Sequence, residues 1–429
     1  MIEKLKTAVL SLLVLLSLLQ SYLLAYSYPK FDPVSPEEYV KTERLGTQAA
    51  LEDMLFPDQV VLHLGKEQHT VVYPNTAKYN EIWDTVKQRY YLEGFRKTTT
   101  TALGLNWDEI RNKQQGVEVR FRDGLPLNVL QRVMQIKSDL PSENDLITRI
   151  WIFAKDTNEV RTILFTDTAS TVYEAQKADF TVKDIEKFVA VSPDFIPYKV
   201  TPGDYYLPLK PLAMTGFKMG YTQFTVDQMK RTFFVDPAIT RNLTERDGSE
   251  IYTDGKRGLQ LKNEPHWMTY SDPVAPAADS RIDLLGNLVS AVQFINQHGG
   301  WNGTYGVQKV PQRLLLGNQA FVFRQYYQSF PIINPRSDTI GYIRISLQKG
   351  LVSNFERSIM TPEVRNVTRN EVQLAGGEQL DEKLKQFSLQ KTQFYGVFPA
   401  YRPIVMEKTM ELVPAWAVEL RDGTYEFLE

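Results

Sequence analysis

The sequence predicts an α+β fold with antiparallel sheets and packed helices, preceded by a single transmembrane helix. Two observations place that helix. Residues Thr7 to Ala25 (TAVLSLLVLLSLLQSYLLA) carry no charge, and Lys4 and Lys6 stand just before them. A third observation places the remainder in the α+β class. Strand-like and helix-like runs follow one another without strict alternation, and many strand candidates are joined by tight turns. That is the pattern of antiparallel sheets rather than of a doubly wound parallel sheet.

A helix over 7–25 is about 28 Å long, close to the roughly 30 Å of bilayer hydrocarbon. After Lys6 the next basic residue is Lys30. The positive-inside bias therefore keeps 1–6 in the cytoplasm and sends the chain after Tyr26 outward. Tyr22, Tyr26 and Tyr28 fall where an interfacial aromatic belt lies. Ala25-Tyr26-Ser27 offers small residues at a cleavage point, but the apolar core exceeds the roughly 7–15 residues of a cleaved leader. An uncleaved signal anchor is expected. Ser17, Ser21 and Ala25 recur at i, i+4 and i+8 with Gln20 beside them, a stripe of small side chains that lets a partner transmembrane helix approach closely.

Pro29, Pro33 and Pro36 then make a stalk over 26–36. In the first outer region, 37–198, strands are predicted at Gln59–Leu64 and His69–Tyr73. A helix follows over Ala77–Leu92, where Tyr79, Ile82, Trp83, Val86 and Tyr90 recur at helical spacing. Gly116–Phe121 alternates as a strand and ends at the turn signal Asp123-Gly124. Leu146–Ala154 and Val160–Phe165 read as a hairpin, and Thr181 heads a helix over Val182–Val189. The central region, 199–280, opens a helix at Val226–Phe233 with a capping box of Thr225 and Gln228. Asp247-Gly248 and Asp254-Gly255 then bracket a short strand, Ser249–Thr253, and a proline-rich linker covers 272–279. The third region, 281–429, begins with a helix over Arg281–His298 stopped by Gly299-Gly300. Strands are expected at Gln319–Ser329, Thr339–Leu347, Lys391–Ala400, Ile404–Val413, Ala415–Leu420 and Tyr425–Leu428, with a helix over Glu378–Phe387.

Composition narrows the function. With 43% hydrophobic residues in a chain of 429, wholesale disorder is excluded. The absence of cysteine excludes a disulfide framework, a thiol nucleophile and a thiolate metal site. Forty-nine basic against fifty-one acidic residues leave a net charge of -2, without the basic surface that nucleic acid requires. The patterns GxSxG, HExxH, GxxxxGK[ST] and GxGxxG do not occur. Of the histidines, His63 and His69 flank one hairpin and can meet across it, but no acid or thiol stands nearby at metal-ligand spacing. His266 stands alone, and His298 falls at a helix C-terminus, where a cationic imidazole suits the dipole. No catalytic residue, cofactor site or metal site is expected.

The densest polar stretch holds Asp236, Arg241, Arg246, Asp247, Tyr252, Asp254, Arg257, Trp267 and Tyr270. The three arginines are expected to pair with Asp236, Asp247 and Asp254 in a network holding the hairpins. The Asp-Gly pairs read as turn chemistry, glycine supplying positive φ and aspartate capping its own backbone. A recognition surface is the other reading of the cluster.

Several of these segments together resemble the YycH family, membrane-anchored extracytoplasmic regulators of the WalK sensor kinase in low-GC Gram-positive bacteria. The resemblance lies in LLVLLSLL near the N-terminus, DPAITRNLTERDGSEIYTDGKRGLQL at 236–261, WMTYSDP at 267–273 and GGWNGTY at 299–305. It is weakest before about residue 198. It implies one transmembrane helix, three outer domains, and a C-terminal domain similar in fold to YycI. It also implies a WalK-type sensor histidine kinase and a YycI-like membrane protein as partners, and a role in cell-wall metabolism. It carries over no catalytic residue and leaves the sign of regulation open. The expected organisation is a cytoplasmic tail (1–6), an anchor (7–25), a stalk (26–36), and domains at 37–198, 199–280 and 281–429. The expected function is non-enzymatic regulation of the kinase through transmembrane-helix and ectodomain contacts. The alternative is an anchored ectodomain that binds a cell-wall or lipid ligand without kinase contact, which predicts a concave pocket with aromatic lining.

Overall fold

The computed structural model describes residues 2–26, 46–91, 94–136, 145–168, 170–192, 195–262, 266–273, 284–309, 318–335, 340–348, 350–390 and 394–428. Contacts divide the chain into Met1–Lys41 and Thr42–Glu429. The first unit contains helix α1, Ile2–Tyr26. Of its stripe residues, Ser17, Gln20 and Ser21 are exposed, and the side chain of Ala25 lies outside the described residues. Among the described residues, no helix is long and apolar enough to cross a membrane. The expected stalk beyond Tyr26 also lies outside them.

The second unit opens with the hairpin of β1 (Gln59–Gly65) and β2 (Gln68–Val72). Helix α2 (Ala77–Gln88) follows, capped by the Thr76 hydroxyl, which accepts from the Tyr79 N–H. Tyr79, Ile82, Trp83 and Val86 are its buried face. The helix stops short of the expected Leu92 because Arg89 turns extended and Tyr90–Tyr91 pairs with Gln135–Ile136 in a short parallel ladder. A helix not expected from the sequence, α3, spans Trp107–Lys113. Strand β3 runs Gln115–Pro126, straight through Asp123-Gly124. The turn signal is absorbed as an irregularity between Arg120 and Leu125, with Gly124 at a φ of 75°. A bulge uses the same positive-φ glycine that a turn uses. Strands β4 (Leu146–Ala154) and β5 (Val160–Thr166) form the expected hairpin. Helix α4 (Val182–Val189) has a full capping box of Thr181 and Asp184.

These strands belong to one nine-stranded sheet, in the order Tyr206–Pro208, Tyr198–Val200, β2, β1, β3, β4, β5, Thr171–Ala175, Phe95–Thr99. Alternation decides its faces. Val60, Leu62, Val117, Val119, Ile150, Ile152 and Leu164 point into the main core, where α2 and α4 also bury their apolar faces.

The long strand β6 (Leu212–Gln223) comes next, then α5 (Val226–Phe233), opened by the expected Thr225–Gln228 capping box. The meander β7 (Arg241–Thr244), β8 (Glu250–Thr253), β9 (Gly258–Lys262) and β10 (Trp267–Ser271) follows. Helix α6 spans Leu284–Gln297 and α7 spans Gly377–Gln390. The chain closes on two long strands, β11 (Phe394–Val405) and β12 (Thr409–Leu420). The sequence reading divided these two strands at the wrong places: 404 and 405 still belong to β11, and 409–420 is continuous.

Strands of 199–280 enter both of the remaining sheets. The meander continues into Leu351–Ser358, Tyr342–Gln348, Asn318–Tyr327 and Thr304–Lys309 as a nine-stranded sheet. Strand β6 pairs instead with β12, Thr368–Leu374 and Met360–Pro362. Strands on both sides of residue 280 thus share each of these two sheets. The linker expected at 272–279 lies outside the described residues from 274 onward.

Candidate functional site: a cleft at the polar face of the first sheet

The face of the first sheet turned away from the main core is graded along its strands. At one end, Trp151, Phe153 and Ile163 pack with Ile110 of α3. At the other end, one cross-strand row places Gln59, Arg120, Arg149 and Phe165 side by side on β1, β3, β4 and β5. Between the two ends lies a buried charged cluster.

Glu118 is fully buried. It meets Arg120 at 2.9 Å, Arg149 at 3.1 Å and Nε2 of His63 at 3.4 Å. Tyr206 Oη is 3.4 Å from its other oxygen. Burial alone pushes a carboxyl toward neutrality. Here Arg120, His63 and Arg149 outweigh burial and hold Glu118 well below the usual carboxylate range. Asp204 supplies the second carboxylate, bonded to Arg111 at 2.7 Å and to Arg149 at 2.5 Å. The Asp204 carbonyl also accepts from Arg120 at 2.5 Å.

His63 and His69 do meet, Nδ1 to Nδ1 at 3.1 Å. Burial pushes both imidazoles toward the neutral form. Glu118 opposes this at His63, while at His69 the neighbouring His63 and Arg111 add to it, leaving that group at about 4. One neutral ring then donates to the other. Among the described residues no group of three or more His, Asp and Glu side chains is placed to hold a metal ion. The acid missing from the sequence reading of this pair is Glu118. Its signal was the alternation of Val117, Val119 and Phe121, which places Glu118 and Arg120 together on the opposite face.

Beyond the cluster the sheet face opens into a cleft of about 450 Å³. Its floor is Arg120, Arg122 and Arg149, each stacked on an aromatic ring. Arg120 lies 4.8 Å from the Tyr206 centroid, Arg149 4.1 Å from Phe165 and Arg122 3.2 Å from Phe398. The far wall is Tyr395–Pro399 of β11 and the turn at Phe330. This is the aromatic-lined concavity that the ligand-binding alternative required.

The polar stretch singled out in the sequence lies elsewhere, on the meander. The arginine–aspartate network expected there does not form. Asp236 accepts from the Ala238 N–H, Asp247 from the Ser249 N–H, and Asp254 from the N–H groups of Lys256 and Arg257. A short carboxylate reaches its own backbone at less entropic cost than a distant guanidinium. Gly248 and Gly255 supply the positive φ at the two turns. Arg257 pairs instead with Asp272 at 3.4 Å, while Arg241 and Arg246 are exposed and make no ion pair among the described residues. Tyr252 and Tyr270 are buried, and Trp267 stacks on Tyr342 with centroids 6.0 Å apart. His298 also departs from expectation. Burial lowers its pKa and its ring stacks on Phe294 at 4.0 Å, so it packs as a neutral ring and not as a dipole-stabilising cation.

The meander exposes apolar side chains. Strand β7 ends its sheet, all four of its residues are exposed, and Val235, Ile239 and Leu243 are 78%, 62% and 56% accessible.

The described residues thus form an α+β scaffold of antiparallel sheets with an edge strand at β7 and an arginine-floored cleft. Family models match this chain. The model described as YycH protein, N-terminal domain, matches residues 3–191, and the one described as YycH protein, C-terminal domain, matches 203–427. The chain belongs to the YycH family. Among curated proteins it is 20% identical to the "Two-component system WalR/WalK regulatory protein YycH" of Bacillus subtilis (strain 168), over 97% of this chain and 94% of that one. Among solved structures, the crystal structure of YycH from Bacillus subtilis aligns with a TM-score of 0.70 and 16% identity. The alignment covers 90% of this chain and 99% of that one and shows a shared fold. The expectation of no enzymatic activity agrees with that relative's description as a regulatory protein.

Proposed function

We propose that the chain is a non-enzymatic regulator of a WalK-type two-component sensor histidine kinase, serving cell-wall homeostasis. It is held in the cell membrane by one helix at 7–25, N-terminus in the cytoplasm and bulk outside, and works beside a YycI-like membrane protein. Family membership supports the regulatory role. The uncharged run from Thr7 to Ala25, with Lys4 and Lys6 before it, supports the anchor. The observation that carries direct partner contact is the open edge at β7. Accessible apolar residues on and just before an edge strand, set among charges, support contact with another protein. The occupant is a partner ectodomain that adds to this edge, while the Ser17, Gln20, Ser21, Ala25 stripe meets a partner helix. Regulation is then a bias on the kinase's two-state equilibrium through contacts that differ between its states.

Co-purification from membranes with the kinase and the YycI-like protein tests this reading. Ser17→Leu/Ser21→Leu fills the stripe, and Leu243→Lys charges the edge. Each is expected to lower partner recovery about tenfold, the effect of losing ~1.4 kcal/mol of binding. Recovery and kinase output at wild-type level in both variants would sink the mechanism.

A further inference from the structure

The cleft contains one strong donor whose bonding is incomplete. The Arg122 guanidinium lies over the Phe398 ring and forms an ion pair with Asp58, at 3.5 Å. Asp58 is already occupied. One of its oxygens accepts from Tyr326 Oη at 2.6 Å and the other from the Arg122 backbone N–H at 2.6 Å. The other two arginines of the floor are each held by two carboxylates: Arg120 and Arg149 both bond Glu118 and Asp204. Arg122, whose one carboxylate partner is already occupied, therefore brings N–H donors to the cleft from a position fixed by the ring beside it, and such a fork suits a planar acceptor.

We propose that the cleft binds a small monocarboxylate with a flat aromatic or apolar body. The carboxylate takes Arg122 in two-point contact, and the body lies among Phe165, Phe330 and Tyr395. The volume of about 450 Å³ suits such a molecule, since small-ligand sites run from about 300 to 1,000 Å³. Charge selects the monoanion. Arg120, Arg122 and Arg149 face the carboxylates of Asp58, Asp167, Asp204 and Glu419 in the same lining. A phosphate dianion would meet an excess of like charge, and a neutral ligand would leave the Arg122 donors without an acceptor. This inference does not depend on the kinase reading.

The test is calorimetric titration of the full chain in lipid nanodiscs with 2-naphthoate, after subtraction of empty nanodiscs. The neutral counterpart is 2-naphthylmethanol and the dianionic one is 2-naphthyl phosphate. Naphthoate is expected to saturate one site and to bind about tenfold or more tighter than the alcohol, as a charge-assisted pair requires, and tighter than the phosphate. Arg122→Met is expected to remove the preference over the alcohol. Since that change also strips Asp58 of a neighbour, a second variant guards against loss of the fold. Tyr395 is 65% accessible at the rim, and Tyr395→Arg is expected to raise the preference for naphthoate over the alcohol about threefold. No saturable naphthoate binding, equal binding of naphthoate and alcohol, tighter phosphate, or an unchanged preference in Arg122→Met would each overturn the proposal.

Discussion

Glu118 is the residue that makes the first sheet unlike an ordinary two-faced sheet, where one face meets the core and the other meets water. Its charge is held inside by Arg120, Arg149 and His63. Removing one member of a buried, paired set costs more than the set contributes, because the others stay buried and unpaired. Glu118→Gln is expected to destabilise the protein by about 3 kcal/mol, read as a lower urea midpoint. The lower end of the usual range applies because Asp204 still engages both arginines. The histidine pair adds a pH dependence. The folded-state pKa of His69, about 4, lies below its ordinary 6.5, and that of His63 is lowered too. A depressed imidazole favours the folded state when neutral. Its contribution is therefore complete above pH ~6.5 and fades as pH falls toward about 4. The melting temperature of the wild type is expected to drop through that window more steeply than that of His69→Gln. Parallel curves would remove the pair from the account. The sequence showed both histidines and their hairpin. It could not show Glu118 as their partner, because a charged residue on the polar side of an alternating strand looks the same whether that side meets water or a second layer.

At the scale of elements, the sequence was legible wherever a local chemical rule fixed the outcome. The Thr181 and Thr225 caps, the β4–β5 hairpin and the turns at Asp247-Gly248 and Asp254-Gly255 follow such rules and stand where expected. Misreadings occurred where sheet position overrode a local signal. The break expected between Ala400 and Ile404 does not occur: Pro399 and Pro403 both lie in β11, an edge strand whose outer side needs no ladder donor. Pro414 lies in β12 beyond the stretch paired to β6, so it too has a neighbour on one side only. The meander offers a direct test of capping against ion pairing. Asp254→Ala removes the acceptor for two backbone N–H groups, at 3.0 and 2.7 Å. It is expected to cost about 1–2 kcal/mol and to lower hydrogen-exchange protection across 250–262. Arg241→Ala and Arg246→Ala are expected to stay within about 0.5 kcal/mol of wild type, because neither arginine has an ion-pair partner to lose. The opposite ranking would restore the arginine–aspartate network.

For the whole molecule, what matters is how the chain leading from 7–25 enters the second unit, Thr42–Glu429. The first described residues of that unit, from Gly46, are clamped rather than trailing. Thr47 exchanges backbone hydrogen bonds with Trp301, at 2.9 and 2.8 Å. Asn296 both accepts from and donates to the Ala49 backbone, and its side-chain oxygen also accepts from the Trp301 indole. Trp301 is buried, and the Gly300 carbonyl beside it accepts from the buried Arg357 at 2.6 Å. The GGWNGTY segment is thus the receptor for the chain's point of entry, and it ties 46–49 to α6 and to the third sheet. Gly46 is required by close approach: a Cβ there would lie 2.4 Å from the Trp301 carbonyl oxygen. A tether that only retains the protein at the membrane needs no such fit, whereas one that transmits a shift between helix and ectodomain does. Gly46→Val is therefore expected to abolish the Thr47 and Trp301 amide protection while leaving the core of the first sheet protected. It is also expected to uncouple kinase output from the protein while partner co-purification persists, because the stripe at 17–25 and the β7 edge are both untouched. Wild-type output from a Gly46→Val protein whose clamp has demonstrably opened would make the connection a passive leash.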